Sequence, residues 1–355
     1  PPRRAAAETC RRRDVPPRTA TIQPPNSQPM KSIVFAATIL TTCQATVCDI
    51  FASANTPCVA AHSVTRRLFK AYDGPIYTIK RSKDNATLDI KTLPSGVADA
   101  SAQDQFCQQT QCTIDMIYDQ SPQQNHLALA PPGGASGTPD TGTDATKAPT
   151  TLNGEKVYGA YFEGDMGYRR DNTTGIATGD EPETLYMVVS GNHYNGGCCF
   201  DYGNAETNNL DTGAGSMESV YFGNSSGWGR GQGPGPWIMA DLENGLFAGN
   251  QQHGSSKTID FDFVTAMVKG DSGNHFALKG GNAQKDATLT SMYDGVRPQG
   301  YHPMKKQGAI ILGIGGDNSD RAIGTWYEGC ITSGYTTDAT DNAVQSNIVN
   351  AGYGL

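Results

Sequence analysis

From about residue 150 to 335 the chain is a succession of short β-rich runs, each closed by a cluster of Gly, Asn or Asp. The runs are Thr184 to Ser190, Ser219 to Gly223, Pro236 to Glu243, Phe263 to Lys269, Thr288 to Tyr293, Ala309 to Ile314 and Ile323 to Ile331. Strands of this length with such turns and few helices predict a two-sheet β-sandwich. Composition agrees: 42 Gly and only 17% charged residues do not suit a helical bundle, where Ala, Leu, Glu and Lys dominate. Three short helices are expected. The first is centred on Val64, Leu68 and Tyr72, spaced i, i+4, i+8 and stopped by Gly74; the others cover Ala100 to Cys107 and Asn342 to Val349, the last capped by Asp341. Residues 131–150 are rich in Gly, Pro, Thr and Asp and read as a loop. No fixed-period repeat and no dinucleotide or P-loop glycine motif occurs.

The first 45 residues stand apart. Met30 and Lys31 precede the apolar run 32–40, and small residues follow at Cys43 and Ala45, the pattern of a secretion signal that is too short to span a membrane. Residues 1–29 are then expected to be a disordered extension upstream of the real start, residues 30–45 a signal peptide, and 46–355 the folded domain. The basic character of residues 1–29 would also suit a nucleic-acid-binding arm, but such an arm lies on the wrong side of a secretion signal. Residues 1–45 hold seven Lys/Arg and two Asp/Glu, so a formal charge of −8 for the whole sequence becomes −13 for the remainder. So acidic a chain repels phosphate backbones and anionic membranes, which excludes nucleic acid and membrane as partners and points to a neutral substrate outside the cell. A monomer is expected.

Cysteine usage fits export. Cys48 with Cys58, and Cys107 with Cys112, are close enough to close small loops; Cys198 and Cys199 are adjacent, and Cys330 is left over. These read as disulfides, since no Cys-x₂-Cys pair with matching His spacing suggests zinc. The adjacent pair admits two readings, a strained vicinal ring or separate partners such as Cys330, and the rarity of vicinal bridges favours the second. No metal or organic cofactor is expected. Sequons at Asn85, Asn172 and Asn224 are candidate glycosylation sites.

Two segments carry candidate chemistry. In Pro236-Trp-Ile-Met-Ala-Asp-Leu-Glu-Asn-Gly245, the Asn244-Gly245 pair predicts a hairpin turn with Glu243 ending the strand. Alternation then sends Ile238, Ala240 and Leu242 to the core, and Trp237, Met239, Asp241 and Glu243 to the opposite face. Two carboxylates and an aromatic on one face make a sugar-site pattern, although a solvated polar face reads the same. In Gly308-Ala-Ile-Ile-Leu-Gly-Ile-Gly-Gly-Asp-Asn-Ser319, a buried strand opens into a glycine-rich turn at Asp317, where backbone can approach a ligand or simply turn. Glycoside hydrolysis needs two carboxyls about one bond, one ionised and one protonated, and like-charge repulsion between Asp241 and Glu243 would help separate them.

These segments, with Cys198 to Glu206, Asp211 to Gly215, Cys48 to Ile50, Thr56 to Ser63 and Ile117 to Ser121, resemble the catalytic domain of family 54 glycoside hydrolases, secreted and chiefly fungal α-L-arabinofuranosidases. The resemblance runs from about Cys48 to about Val349. It implies a concanavalin-like sandwich that releases terminal non-reducing α-L-arabinofuranosyl groups with retention, with arabinoxylan or arabinan of the plant cell wall as partner. It also implies Glu243 as nucleophile and Asp317 as general acid/base. Cys198 and Cys199 would form a vicinal disulfide against the sugar, reversing the preference from rarity, and Cys48–Cys58 and Cys107–Cys112 would be the other bridges. Trp228 would be an aromatic wall, with Asp241, Asn244 and the Gly316 backbone binding sugar hydroxyls. A related pentosidase (a β-xylosidase or another furanosidase) and a non-catalytic lectin-like module are the alternatives. The family pattern continues into an arabinose-binding β-trefoil, which this sequence does not include, and Cys330 has no evident partner, so a buried free thiol is expected.

Overall fold

A computed structural model describes residues 45–355; the expected extension and signal peptide, apart from Ala45, lie outside the described residues. Ten antiparallel strands build the sheet that carries the site. From one edge they run Leu246–Phe247, Trp237–Asp241, Glu218–Gly223, Asp201–Ala205, Ala309–Leu312, Tyr168–Arg170, Leu127–Leu129, Cys112–Ile117, Tyr77–Arg81 and Thr87–Ile90. The facing sheet runs Thr290–Gly295, His275–Asn282, Phe263–Asp271, Glu183–Tyr194 and Ile323–Ser333. Cys58–Ser63 and Glu155–Glu163 share the far side of Ile323–Ser333, and Asp144–Leu152 follows Glu155–Glu163. One pair, Thr113 with Asp144, joins the two sheets.

The sheets close face to face. Glu218–Gly223 packs across Glu183–Tyr194 and Phe263–Asp271, and the Tyr202 and Trp326 rings from opposite layers lie 5.7 Å apart. Central strands are therefore covered on both sides, so Ala309–Leu312 is apolar throughout rather than alternating, and all four residues are buried. The two-sheet sandwich expected from the strand spacing is the observed fold, and all seven predicted strand runs are strands within a few residues. A small parallel pair, Arg230–Gln232 with His253–Lys257, stands outside the main ladders.

Helices were less legible. Ala100–Phe106 forms as expected, with Asp99 accepting from Ala102 N–H. The C-terminal helix is longer, Asp338–Ala351, and Thr337 caps it rather than Asp341. Asp341 is instead a buried helical residue bonded to Lys269 Nζ at 2.8 Å and Lys279 Nζ at 2.7 Å. No helix forms over Val64, Leu68 and Tyr72. There Ser63 Oγ takes the N–H groups of Thr65 and Arg66, and the segment bonds outward, Val64 to Tyr327 and Arg67 to Gly96. Side-chain and long-range partners replaced the i→i−4 ladder that the apolar spacing suggested. The first helix is Val47–Ser53, which carried no expectation, and strand Asp144–Leu152 begins inside the expected 131–150 loop.

Candidate active site

Strand Trp237–Asp241 positions the first carboxylates. Asp241 pairs with Ser219 on one side and Leu246 on the other, so the chain must reverse within Leu242 to Gly245. Glu243 (φ 65°) and Asn244 (φ 58°) both occupy the left-handed region, which makes them the two central residues of a type I′ hairpin turn. The turn thus sits one residue earlier than Asn244-Gly245 suggested, and Glu243 leaves the strand alternation. Asn tolerates this conformation; a glutamate there costs on the order of 1 kcal/mol and persists because its surroundings impose it. Glu243 N–H donates to Asp241 Oδ1 (3.1 Å), and its carbonyl accepts from the Tyr301 hydroxyl (2.8 Å). Alternation does hold for the strand itself. Ile238 and Ala240 join the main core, while Trp237 and Met239 pack with Tyr221, Leu246 and Cys199 beneath the site.

The second carboxylate comes from the turn after Ala309–Leu312. Gly315 N–H bonds to Ser319 O at 3.0 Å, Asn318 N–H to Gly315 O at 3.1 Å, and Ser319 N–H to Asp317 Oδ1 at 3.1 Å. The glycine-rich loop from 131 clamps this turn from outside: Ala135 N–H bonds to Asp317 O at 2.9 Å. Gly316 marks the meeting point of the two segments. A Cβ there would collide with the Glu206 carboxylate and lie 3.1 Å from Glu243 Oε2. Only glycine allows the turn to approach so closely.

Cys198 and Cys199 form a vicinal disulfide, so the reading that paired them elsewhere is corrected; Cys330 remains a buried free thiol. The other two bridges are Cys48–Cys58 and Cys107–Cys112. Cys199 N–H bonds to Ser319 O at 3.1 Å, tying the disulfide to the Asp317 turn, and Cys199 Sγ lies 3.3 Å from Asp241 Oδ2. A cavity of about 210 Å³ results. Of the residues singled out in the sequence, Glu243, Asp317, Asp241, Asn244, Gly316, Trp228 and the two cysteines line it, whereas Trp237, the aromatic of the strand-face pattern, is buried beneath it. Trp228 lines the cavity while 53% exposed. Asp211 also lines the cavity and accepts from Asn244 Nδ2 at 3.3 Å. The sequons behave differently from one another, with Asn85 and Asn172 exposed and Asn224 half-buried.

Behind the lining stand two acids that residue-level reasoning did not single out, Asp201 and Glu206, 1% and 0% exposed. Both lie in the Cys198 to Glu206 segment, where their only signal was membership of a family motif. Asp201 faces Asp241 and Glu206 faces Glu243. Burial, then the Asp241 charge, pushes Asp201 well above the usual carboxylate range. Burial raises Asp241 to about 7. Burial, then the Glu206 and Asp241 charges, raises Glu243 to about 10. The nearby Arg169 guanidinium does not offset these charges, being bonded to the Gly316 and Glu206 carbonyls and to Asp171. Such an arrangement stores protons next to the pocket, which suits acid–base and nucleophilic chemistry at an acetal carbon.

Residues 47–354 match the family described as "Alpha-L-arabinofuranosidase B, catalytic". The chain is 57% identical over 316 residues to an "Alpha-L-arabinofuranosidase" of Hypocrea jecorina, and 56% identical over 316 residues to an "Arabinofuranosidase/B-xylosidase" of Trichoderma koningii. Each match covers 87% of this chain and 63% of the relative, so the chain spans less than two thirds of the length of the curated relatives it matches. Among solved structures it is similar, at a TM-score of 0.85 and 51% identity, to an arabinofuranosidase complexed with arabinofuranosyl-α-1,2-xylobiose, over 87% of this chain and 66% of that one.

Proposed function

The chain belongs to the α-L-arabinofuranosidase B catalytic family, and on that premise we propose that it is a retaining, exo-acting α-L-arabinofuranosidase that releases terminal non-reducing arabinofuranosyl groups. One observation carries this reading: Glu243 and Asp317, from separate segments, line one small cavity with an exposed tryptophan and a vicinal disulfide. Glu243 attacks the anomeric carbon while Asp317 protonates the leaving oxygen. Water activated by Asp317 then releases the sugar from Glu243, and two inversions give retention. The hydroxyls of the ring are bound by Asp241, Asn244 and the Gly316 backbone, with the disulfide and Trp228 as apolar walls.

The substrates are arabinofuranosyl branches of plant cell-wall arabinoxylan or arabinan, met outside the cell by a secreted enzyme; a solved relative holds an arabinofuranosyl-xylobiose. A second reading, action on β-xylosides, is favoured by the relative that bears both activities in its name. A sugar-binding module without catalysis has no use for two carboxyls facing one pocket. Hydrolysis of a chromogenic α-L-arabinofuranoside tests the proposal. Glu243→Gln is expected to lower kcat by about 10³-fold or more. An inactive wild type that still binds arabinose would replace the enzyme with a lectin, and higher kcat/KM on a β-xyloside would replace the substrate.

A further inference from the structure

Glu243 must be ionised to attack, yet its surroundings favour the protonated form, because burial and neighbouring acids oppose its charge. Its acidic neighbour Glu206 is fully buried, and Glu206 Oε2 has no hydrogen-bond donor among the described residues. That oxygen and Glu243 Oε2 crowd the same face of Gly316. Two carboxylate oxygens cannot bond to each other unless one carries a proton. Glu206 Oε1 has a related shortage. Ser216 Oγ lies 2.5 Å from it and 2.6 Å from the Gly213 carbonyl oxygen, and its single hydrogen can serve only one of them. The Glu206 backbone is fixed separately, by Arg169 Nη2 on its carbonyl.

We propose that Glu206 is a positioning residue for Glu243: its carboxyl takes the proton that Glu243 must lose and returns it as a hydrogen bond to Glu243 Oε2. Glu206 has this role only where Glu243 is the nucleophile of the proposed reaction. The hydrogen bond fixes one oxygen of the Glu243 carboxylate and leaves Oε1 to form the bond to the anomeric carbon. As that bond forms, the bond to the leaving oxygen breaks, its electron pair stays on that oxygen, and Asp317 supplies the proton. The Glu206 proton is neither consumed nor released. When Glu243 becomes a neutral ester through Oε1, the same hydrogen bond falls on Oε2, now the ester carbonyl oxygen, so the positioning persists through both steps. Glu206 touches no sugar; it acts through Glu243.

The test is steady-state kinetics on the chromogenic arabinofuranoside, with thermal unfolding of each variant, in the full chain. Glu206→Gln keeps a donor toward Glu243 and an acceptor toward Ser216, and is expected to hold kcat within about fivefold of wild type; Glu206→Ala is expected to lose about 10²-fold in kcat with KM within about threefold. Ser216→Ala, which frees the Glu206 carboxyl to swing, is expected to lose about tenfold in kcat at constant KM and keeps the proposal testable should the alanine variant unfold. Glu206→Ala retaining wild-type kcat overturns the proposal. So does a folded Glu206→Gln as inactive as the alanine variant, which would show that a charge and not a donor is needed. Unchanged kcat in Ser216→Ala counts against it in the same way. Wild type and Glu243→Gln serve as controls: equal activity in those two removes the nucleophile itself, a failure distinct from loss of the Glu206 role.

Discussion

Glu218 and Glu243 are both buried carboxylates on neighbouring parts of one sheet, yet their surroundings treat them in opposite ways. Glu218, fully buried in strand Glu218–Gly223, accepts from Arg297 Nη1 at 2.7 Å and Lys306 Nζ at 2.9 Å. Burial works against its charge, but these two cations outweigh burial and pull it down to about 2. Glu243 has Glu206, Asp241 and Asp211 as its acidic neighbours and is pushed up to about 10, by burial first. The contrast separates scaffold from site. Glu218, in the scaffold, is matched by cations; Glu243, facing the cavity, is matched by other acids. A cluster of acids of this kind costs stability, and its persistence marks a function that needs protons and a nucleophile in one place.

Removing a cation from the scaffold cluster is the strongest way to break this contrast. Arg297→Met strands Glu218 beside Lys306 alone and is expected to destabilise by about 3–5 kcal/mol in denaturant unfolding, with activity per folded molecule kept. At the site the sign reverses: Glu243→Gln should leave unfolding stability equal or higher while activity collapses. A more gradual effect, spread over several pH units, is expected from pH. Asp241 is raised in the fold from 3.8 to about 7, so its contribution to stability is full below pH 3.8 and lost as pH rises through 7. Glu218 is lowered from 4.5 to about 2, so its contribution is full above pH 4.5 and lost as pH falls through 2. Each proton of difference gives a slope of about 1.4 kcal/mol per pH unit, and Asp241→Asn should flatten the neutral side of the stability curve only. The smallest expected change is Trp228→Ala, which removes an exposed ring at the cavity mouth. It should raise KM about three- to tenfold at nearly constant kcat and leave stability within about 0.5 kcal/mol. A kcat loss larger than the KM change would move Trp228 from the cavity wall into the transition state.

Legibility in the sequence followed the range of the interactions. Period-2 patterns between 150 and 335 located the strands because burial on a pleated sheet imposes alternation or unbroken apolar runs. The helix expected over Val64 to Tyr72 failed for the same reason in reverse. Val64 and Leu68 are buried as expected, but their backbone partners lie far along the chain, at Tyr327 and Cys48. Periodicity reports that a side chain is buried, not which element buries it.

The sequence by itself determined the strand-rich class, the buried strand before Asp317 with its glycine turn and the hairpin near Asn244, and motif resemblance singled out eight of the residues found to line the cavity. It placed the turn one residue late, since Asn-Gly is the commoner type I′ pair and nothing local demands a left-handed glutamate. Only the tertiary structure decided that Glu243 and Asp317 share one cavity, that Gly316 is the point where their segments touch, and that Asp201 and Glu206 stand behind them. The physical reason is that proton sharing between acids depends on a few ångströms between segments dozens of residues apart, and no local pattern encodes that distance.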